Sequence, residues 1–123
     1  MSKQDLRQMA TPDLVALFAR VAVGQDEALL GSRRARFKRL FDVMREISNE
    51  LKGREGDQRV ALLSLFEYPN MQVRLQAAKL TLAVAPTEAR QQLEAIAATK
   101  WFPQAGDAGM CLSFLDDGTF KPE

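Results

Sequence analysis

Apolar positions recur at helical spacing along nearly the whole chain, and no stretch alternates strictly between apolar and polar residues as a half-buried strand would. Leu14, Leu17, Phe18, Val21, Gln25 and Ala28 share one helical face, which Val15 and Ala22 widen. Thr11-Pro12-Asp13 reads as the start of this helix. Thr11 is placed to cap it, Pro12 sits where a missing N–H costs nothing, and Asp13 suits the helix dipole. Gly24 either weakens the helix by about 1 kcal/mol relative to Ala or admits a close neighbour. Gly31-Ser32 ends it. Ser2 to Met9 is expected to form a short leading turn.

A second helix is expected from Ser32 to Lys52, with Phe37, Leu40, Phe41, Met44, Ile47 and Leu51 as its apolar stripe. Arg34, Lys38, Arg45, Glu46 and Glu50 fall on its other face, and Gly53 stands where a C-terminal glycine cap would stand. Asp57 should cap a third, shorter helix that turns Val60, Leu63 and Phe66 inward. Tyr68-Pro69 breaks it, because the residue before proline is pushed to extended conformations. Asn70 restarts the chain as a cap for a helix reaching about Val84, with Val73, Ala77, Ala78 and Leu82 on one face. Ala85-Pro86 is the next joint. A fifth helix then runs to about Thr99, burying Ala89, Leu93, Ile96 and Ala97 and exposing Arg90, Gln91 and Glu94. Trp101-Phe102-Pro103 interrupts the pattern, and Gln104 to Asp107 reads as a loop with Asp107 as a cap. Ala108 to Leu115 forms a last short helix through Met110, Cys111 and Phe114. Residues 116–123 read as a turn and tail.

These elements define an all-α chain of about six helices. Its 123 residues favour one domain over residues 1–123, with 1–10 as a leader turn. The segment Asn70 to Leu82 resembles the first helix of a HEAT-type repeat, in which small residues let helices pack closely and an arginine ties neighbouring turns. Arg74 would be that arginine, bonding carbonyls or carboxylates, with Asp57 and Asp107 as plausible partners. The implied architecture is a compact HEAT/ARM-like α-α superhelix with antiparallel hairpin neighbours.

Charge and residue types narrow the function. A net charge of +1 gives no global field toward nucleic acid or an anionic membrane. No histidine is present, so no His-based triad or His-containing metal site can form. The lone Cys111 excludes an internal disulfide and fits a reducing compartment. The N-terminal residues are charged where a secretion signal needs an apolar run, and no apolar run approaches the ~20 residues of a membrane span. A cytoplasmic location is expected.

Local clusters remain to be weighed. Arg33-Arg34-Ala35-Arg36-Phe37-Lys38-Arg39 packs five cations into seven residues. It could contact phosphates or an acidic partner, or it could be a solvated helix start paired with Asp42, Glu46 and neighbouring helices. Trp101 and Phe102 could anchor an interface, but plugging the end of the helical stack is the favoured reading. Asp116-Asp117-Gly118 lacks the spaced ligands of a calcium loop. Cys111, among apolar neighbours, reads as a small hydrophobe.

Across residues beyond Arg34 the chain also resembles a bacterial family, DUF2019. The likeness is carried by Ala35-Arg36-Phe37 with Leu40 and Asp42, Glu50-Leu51-Lys52, Gly56-Asp57-Gln58-Arg59, Pro69 to Leu75 and Thr81 to Pro86. The Trp101 to Met110 string is its most distinctive part. That resemblance implies a HEAT/ARM-like helical fold and carries no assigned activity. Some small families of this kind accompany bacterial toxins as immunity proteins.

The expected function is therefore a non-enzymatic protein-binding module, in an immunity or adaptor role, without cofactor or metal. Its partner would be another protein, such as a toxin or effector. The candidate binding residues are Arg34, Lys38 and Arg45 on the second helix and Trp101, Gln104 and Asp107 at the later joint. The alternative is a nucleic-acid-binding module using the Arg33–Arg39 run.

Overall fold

The computed structural model describes residues 2–123. All regular structure among them is helical: six α-helices and one 3-10 segment. The chain divides after Ala61 into two compact units.

The first unit holds α1 (Lys3–Arg7), α2 (Thr11–Leu30) and α3 (Arg34–Gly53). In α1 the Ser2 hydroxyl accepts from the Asp5 N–H while the Asp5 carboxylate accepts from the Ser2 N–H, a reciprocal cap on a five-residue helix. The expected stripe of α2 is buried throughout and packs against α3. Leu14, Phe18, Met44, Ile47 and Leu51 form the centre, each worth about 1.5–3 kcal/mol of burial. A Cβ on Gly24 would stand 3.0 Å from Leu40 Cδ1, so this glycine serves close packing of α2 on α3. Gln25, buried beside this core, donates to Met44 Sδ at 3.6 Å.

Two expected caps in this unit fall elsewhere. Thr11 is the first helical residue, not the cap: Ala10 occupies the cap position without a side-chain bond. The Thr11 hydroxyl is instead taken by Arg54, which donates to Thr11 Oγ1 (3.0 Å), Leu6 O (3.0 Å), Met9 O (2.6 Å) and Glu50 Oε2 (2.8 Å). Arg54 thus ties the leader to the end of α3. Gly53 remains inside α3, and the turn is made by Gly56 at φ +78°.

The expected third α-helix is a 3-10 segment, Gln58–Leu65. Its three-residue period eclipses side chains at i and i+3. Arg59, Leu62 and Leu65 are therefore the buried set, while Val60 is exposed and Leu63 and Phe66 are only partly covered. Asp57 accepts three bonds from Arg59, through its backbone N–H, Nε and a terminal nitrogen. Those bonds hold its carboxyl below the usual carboxylate range.

The second unit holds α4 (Met71–Thr81), α5 (Pro86–Ala98) and α6 (Gln104–Asp116). The Asn70 carboxamide oxygen accepts from the N–H groups of Gln72 and Val73, the expected cap. Leu75, Ala78 and Leu82 pack with Ala89, Leu93 and Ile96 of α5 and with Ala108 and Cys111 of α6. Cys111 is buried, and burial pushes its thiol pKa up, as suits a packing residue. Ala97 only borders this core. Arg74 donates from Nε to the Tyr68 carbonyl. The suggested carboxylates take other cations: Asp57 pairs with Arg59, and Asp107 with Lys79.

Candidate partner-binding surface

The tip of the α2–α3 hairpin gathers cations and exposed apolar side chains in the first unit. α2 ends with Ser32 N–H donating to Leu29 O (3.3 Å) and Arg33 N–H to Ala28 O (2.8 Å), a Schellman-type closure. The left-handed position falls on Ser32, at φ +54°, and not on the preceding Gly31. This turn launches α3 at Arg34 with no side-chain cap and no acidic residue in the first turn. The positive end of the helix dipole therefore adds to the charge of the basic run.

Arg34, Lys38, Phe41 and Arg45 lie at i, i+4, i+7 and i+11, one stripe of α3. All four are exposed. Among the described residues Arg33, Arg34, Lys38 and Arg39 form no ion pair. The expected pairing of the run with Asp42 and Glu46 does not occur, whereas the expected pairing with a neighbouring helix does, through Arg36 and Glu27 of α2. Asp42 takes Arg45 at 3.4 Å, and Arg36 reaches Glu27 at 3.9 Å. Leu30 is 81% exposed, with Leu29 and Phe41 also exposed beside the cations. A shallow groove of about 280 Å³ opens at the hairpin tip, lined by Ala28, Leu29, Ser32, Arg33, Arg34 and Phe37. Sequence reasoning assigned Phe41 to the buried stripe. Its place at the edge of that stripe was the available signal for exposure.

The later candidates lie in the second unit and fare differently. Trp101 and Phe102 are 63% and 68% exposed, so they do not plug the helical stack. The inward place is taken by Gln104, whose Nε2 donates to Gln72 Oε1 at 3.0 Å. Gln104 is 1% exposed and cannot serve as a surface contact in this structure. It is also helical: α6 begins four residues earlier than expected, with the Ala105 N–H donating to Trp101 O. Asp107 is consequently inside the first turn and not a cap, and its carboxylate accepts from Lys79 Nζ at 3.0 Å. Met110 and Phe114, which the last helix was expected to run through, are helical and exposed.

Among the described residues no group of three or more His, Cys, Asp or Glu is placed to hold a metal ion. No helix among them is long and apolar enough to cross a membrane.

Comparison with known proteins adds a family and a fold. No curated protein matches the chain. The crystal structure of the protein RPA1889 from Rhodopseudomonas palustris CGA009 is similar at 76% identity, with a TM-score of 0.94 over 96% of this chain and 98% of that one. The model of the family described as a domain of unknown function, DUF2019, matches residues 12–116. With that match spanning most of its length, the chain belongs to the DUF2019 family.

Proposed function

We propose that this chain is a non-enzymatic protein-binding module that takes an acidic, partly apolar segment of its partner at the α2–α3 tip. The observation that carries the reading is the set Arg33, Arg34, Lys38 and Arg39. These cations form no ion pair among the described residues and stand beside exposed Leu29, Leu30 and Phe41. Cations without internal partners steer and orient an acidic surface, while the apolar side chains supply burial. An adaptor or immunity role in the cytoplasm, with an acidic toxin or effector as partner, is the biological form this reading takes. A HEAT-like stacking of the α4–α5 hairpin is supported by the buried small residues Ala77, Ala78 and Ala89.

The test is a pull-down from bacterial lysate with the native chain and with an Arg34→Glu/Lys38→Glu/Phe41→Ser variant, each with and without nuclease. The expected result is an acidic protein that the native chain retains after nuclease and the variant loses. Recovery of nucleic acid alone would instead support phosphate contacts by the basic run. Binding of the protein unchanged by the triple substitution would remove this surface from the function.

A further inference from the structure

Residues 2–10 are held to the first unit by very few groups. Leu6 is their one buried side chain, Met9 is partly covered, and the others are exposed. α1 packs on α3 and on little else. The rest of the hold comes from Arg54. Its Nη2 donates to the Leu6 and Met9 carbonyls, while Nη1 donates to the Thr11 hydroxyl and Nε to Glu50. A groove of about 190 Å³ opens along the seam between α1 and α3, lined by Lys3, Leu6, Arg7, Glu46, Asn49 and Glu50. Among the described residues Lys3, Arg7 and Glu46 form no ion pair, so no charge pair closes that seam.

The α2–α3 hairpin has a core of its own. The buried stripe of α2 begins at Leu14 and meets Met44, Ile47 and Leu51 of α3 without help from the leader. The family match begins at residue 12, so the leader precedes the shared domain. Lifting residues 2–10 gives up the burial of one leucine and two Arg54 bonds, and it returns the backbone and side-chain freedom of the whole leader. These opposing contributions are of similar size, which sets leader opening well below global unfolding in free energy. Two of the four Arg54 bonds, those to Glu50 and Thr11, do not involve the leader. They keep the guanidinium aimed when the leader is away, so the same catch is ready when it returns.

We propose that residues 2–10 form a strap that lifts from the α2–α3 hairpin as a unit while the hairpin stays folded, with the Arg54 guanidinium as its latch. In the lifted state the Nη2 group is free beside the seat that Leu6 has left. This device lies at the other end of α3 from the cationic tip, so each proposal stands or falls alone. The test is native-state amide hydrogen exchange of the full chain, read by NMR across low urea concentrations. The amides of Leu6, Gln8 and Met9 are bonded within the leader. They should be protected relative to a free chain, yet exchange at least about 100-fold faster than Phe18 and Ile47, at a rate that urea does not change below the unfolding transition. Arg54→Lys keeps the charge but replaces the fork by one nitrogen, and should speed leader exchange about tenfold. Met44→Ala weakens the hairpin in the strapped and lifted states alike, so it should speed exchange at Ile47 and leave the leader unchanged. A leader that exchanges at the free-chain rate would overturn the proposal, since nothing would then be latched. So would leader exchange that rises with urea or with Met44→Ala in step with Ile47, or one indifferent to Arg54→Lys.

Discussion

The two ends of α3 carry the same amphipathic pattern and the same kinds of residue, yet they have opposite fates. At the C-terminal end Met44, Ile47 and Leu51 are at most 2% exposed, and Arg54 spends its guanidinium on two carbonyls, a hydroxyl and a carboxylate. At the N-terminal end Phe41 is 44% exposed, and Arg33, Arg34, Lys38 and Arg39 form no ion pair among the described residues. The difference teaches how to separate an architectural arginine from an available one. Residue type and helical position do not decide it; the number of carbonyl and carboxylate oxygens within reach does. One end of the helix is consumed by the fold, and the other stays exposed.

The contrast can be broken by substitution. The largest effect is expected in the core: Met44→Ala should cost about 2–5 kcal/mol in urea unfolding, whereas Phe41→Ser at the other end should cost less than about 1 kcal/mol. Equal losses would mean that Phe41 is packed as firmly as Met44. Next come the arginines. Arg54→Ala leaves the Leu6 and Met9 carbonyls and the Glu50 carboxylate without this donor and should cost about 2–3 kcal/mol, while Arg34→Ala should stay within about 0.5 kcal/mol. A thermal melt of the two variants that shows no gap would erase the distinction drawn here. The smallest effect belongs to the turn that opens the exposed end. Ser32→Gly relieves a left-handed non-glycine residue and should raise stability by up to about 1 kcal/mol. A lower unfolding midpoint for that variant would show that the Ser32 side chain holds the tip together.

Much of this architecture was legible in the sequence because it rests on local rules. The Asn70 cap, the Leu14–Ala28 stripe and the helix breaks at Gly31 and Pro69 each depend on neighbours a few residues away. What was illegible depended on residues distant in the chain or on a different period. The Arg54 bonds span more than forty residues for three of their four acceptors. The segment after Asp57 obeys a period of three, so a reading at 3.6 chose Val60 and Leu63 over Leu62 and Leu65. The start of α6 was hidden by Pro103 and Gly106, whose low helix propensity argues for a loop. That misreading placed Gln104 outside and the aromatics Trp101 and Phe102 inside, the reverse of what is found. The candidate surface was half legible: its charges stood out as a run, and the loss of their expected internal partners required coordinates.

The bond between Gln72 and Gln104 also bears on how the family can drift over generations. Two amides meet in the interior, one from α4 and one from α6. Exchange of either one alone for leucine would remove this bond from the other amide where water does not reach. A lineage that loses one glutamine is therefore under pressure to lose both, passing through a less stable ancestor or changing the two codons together. These positions should be inherited as a linked pair, while neighbouring surface positions such as Gln91 vary freely.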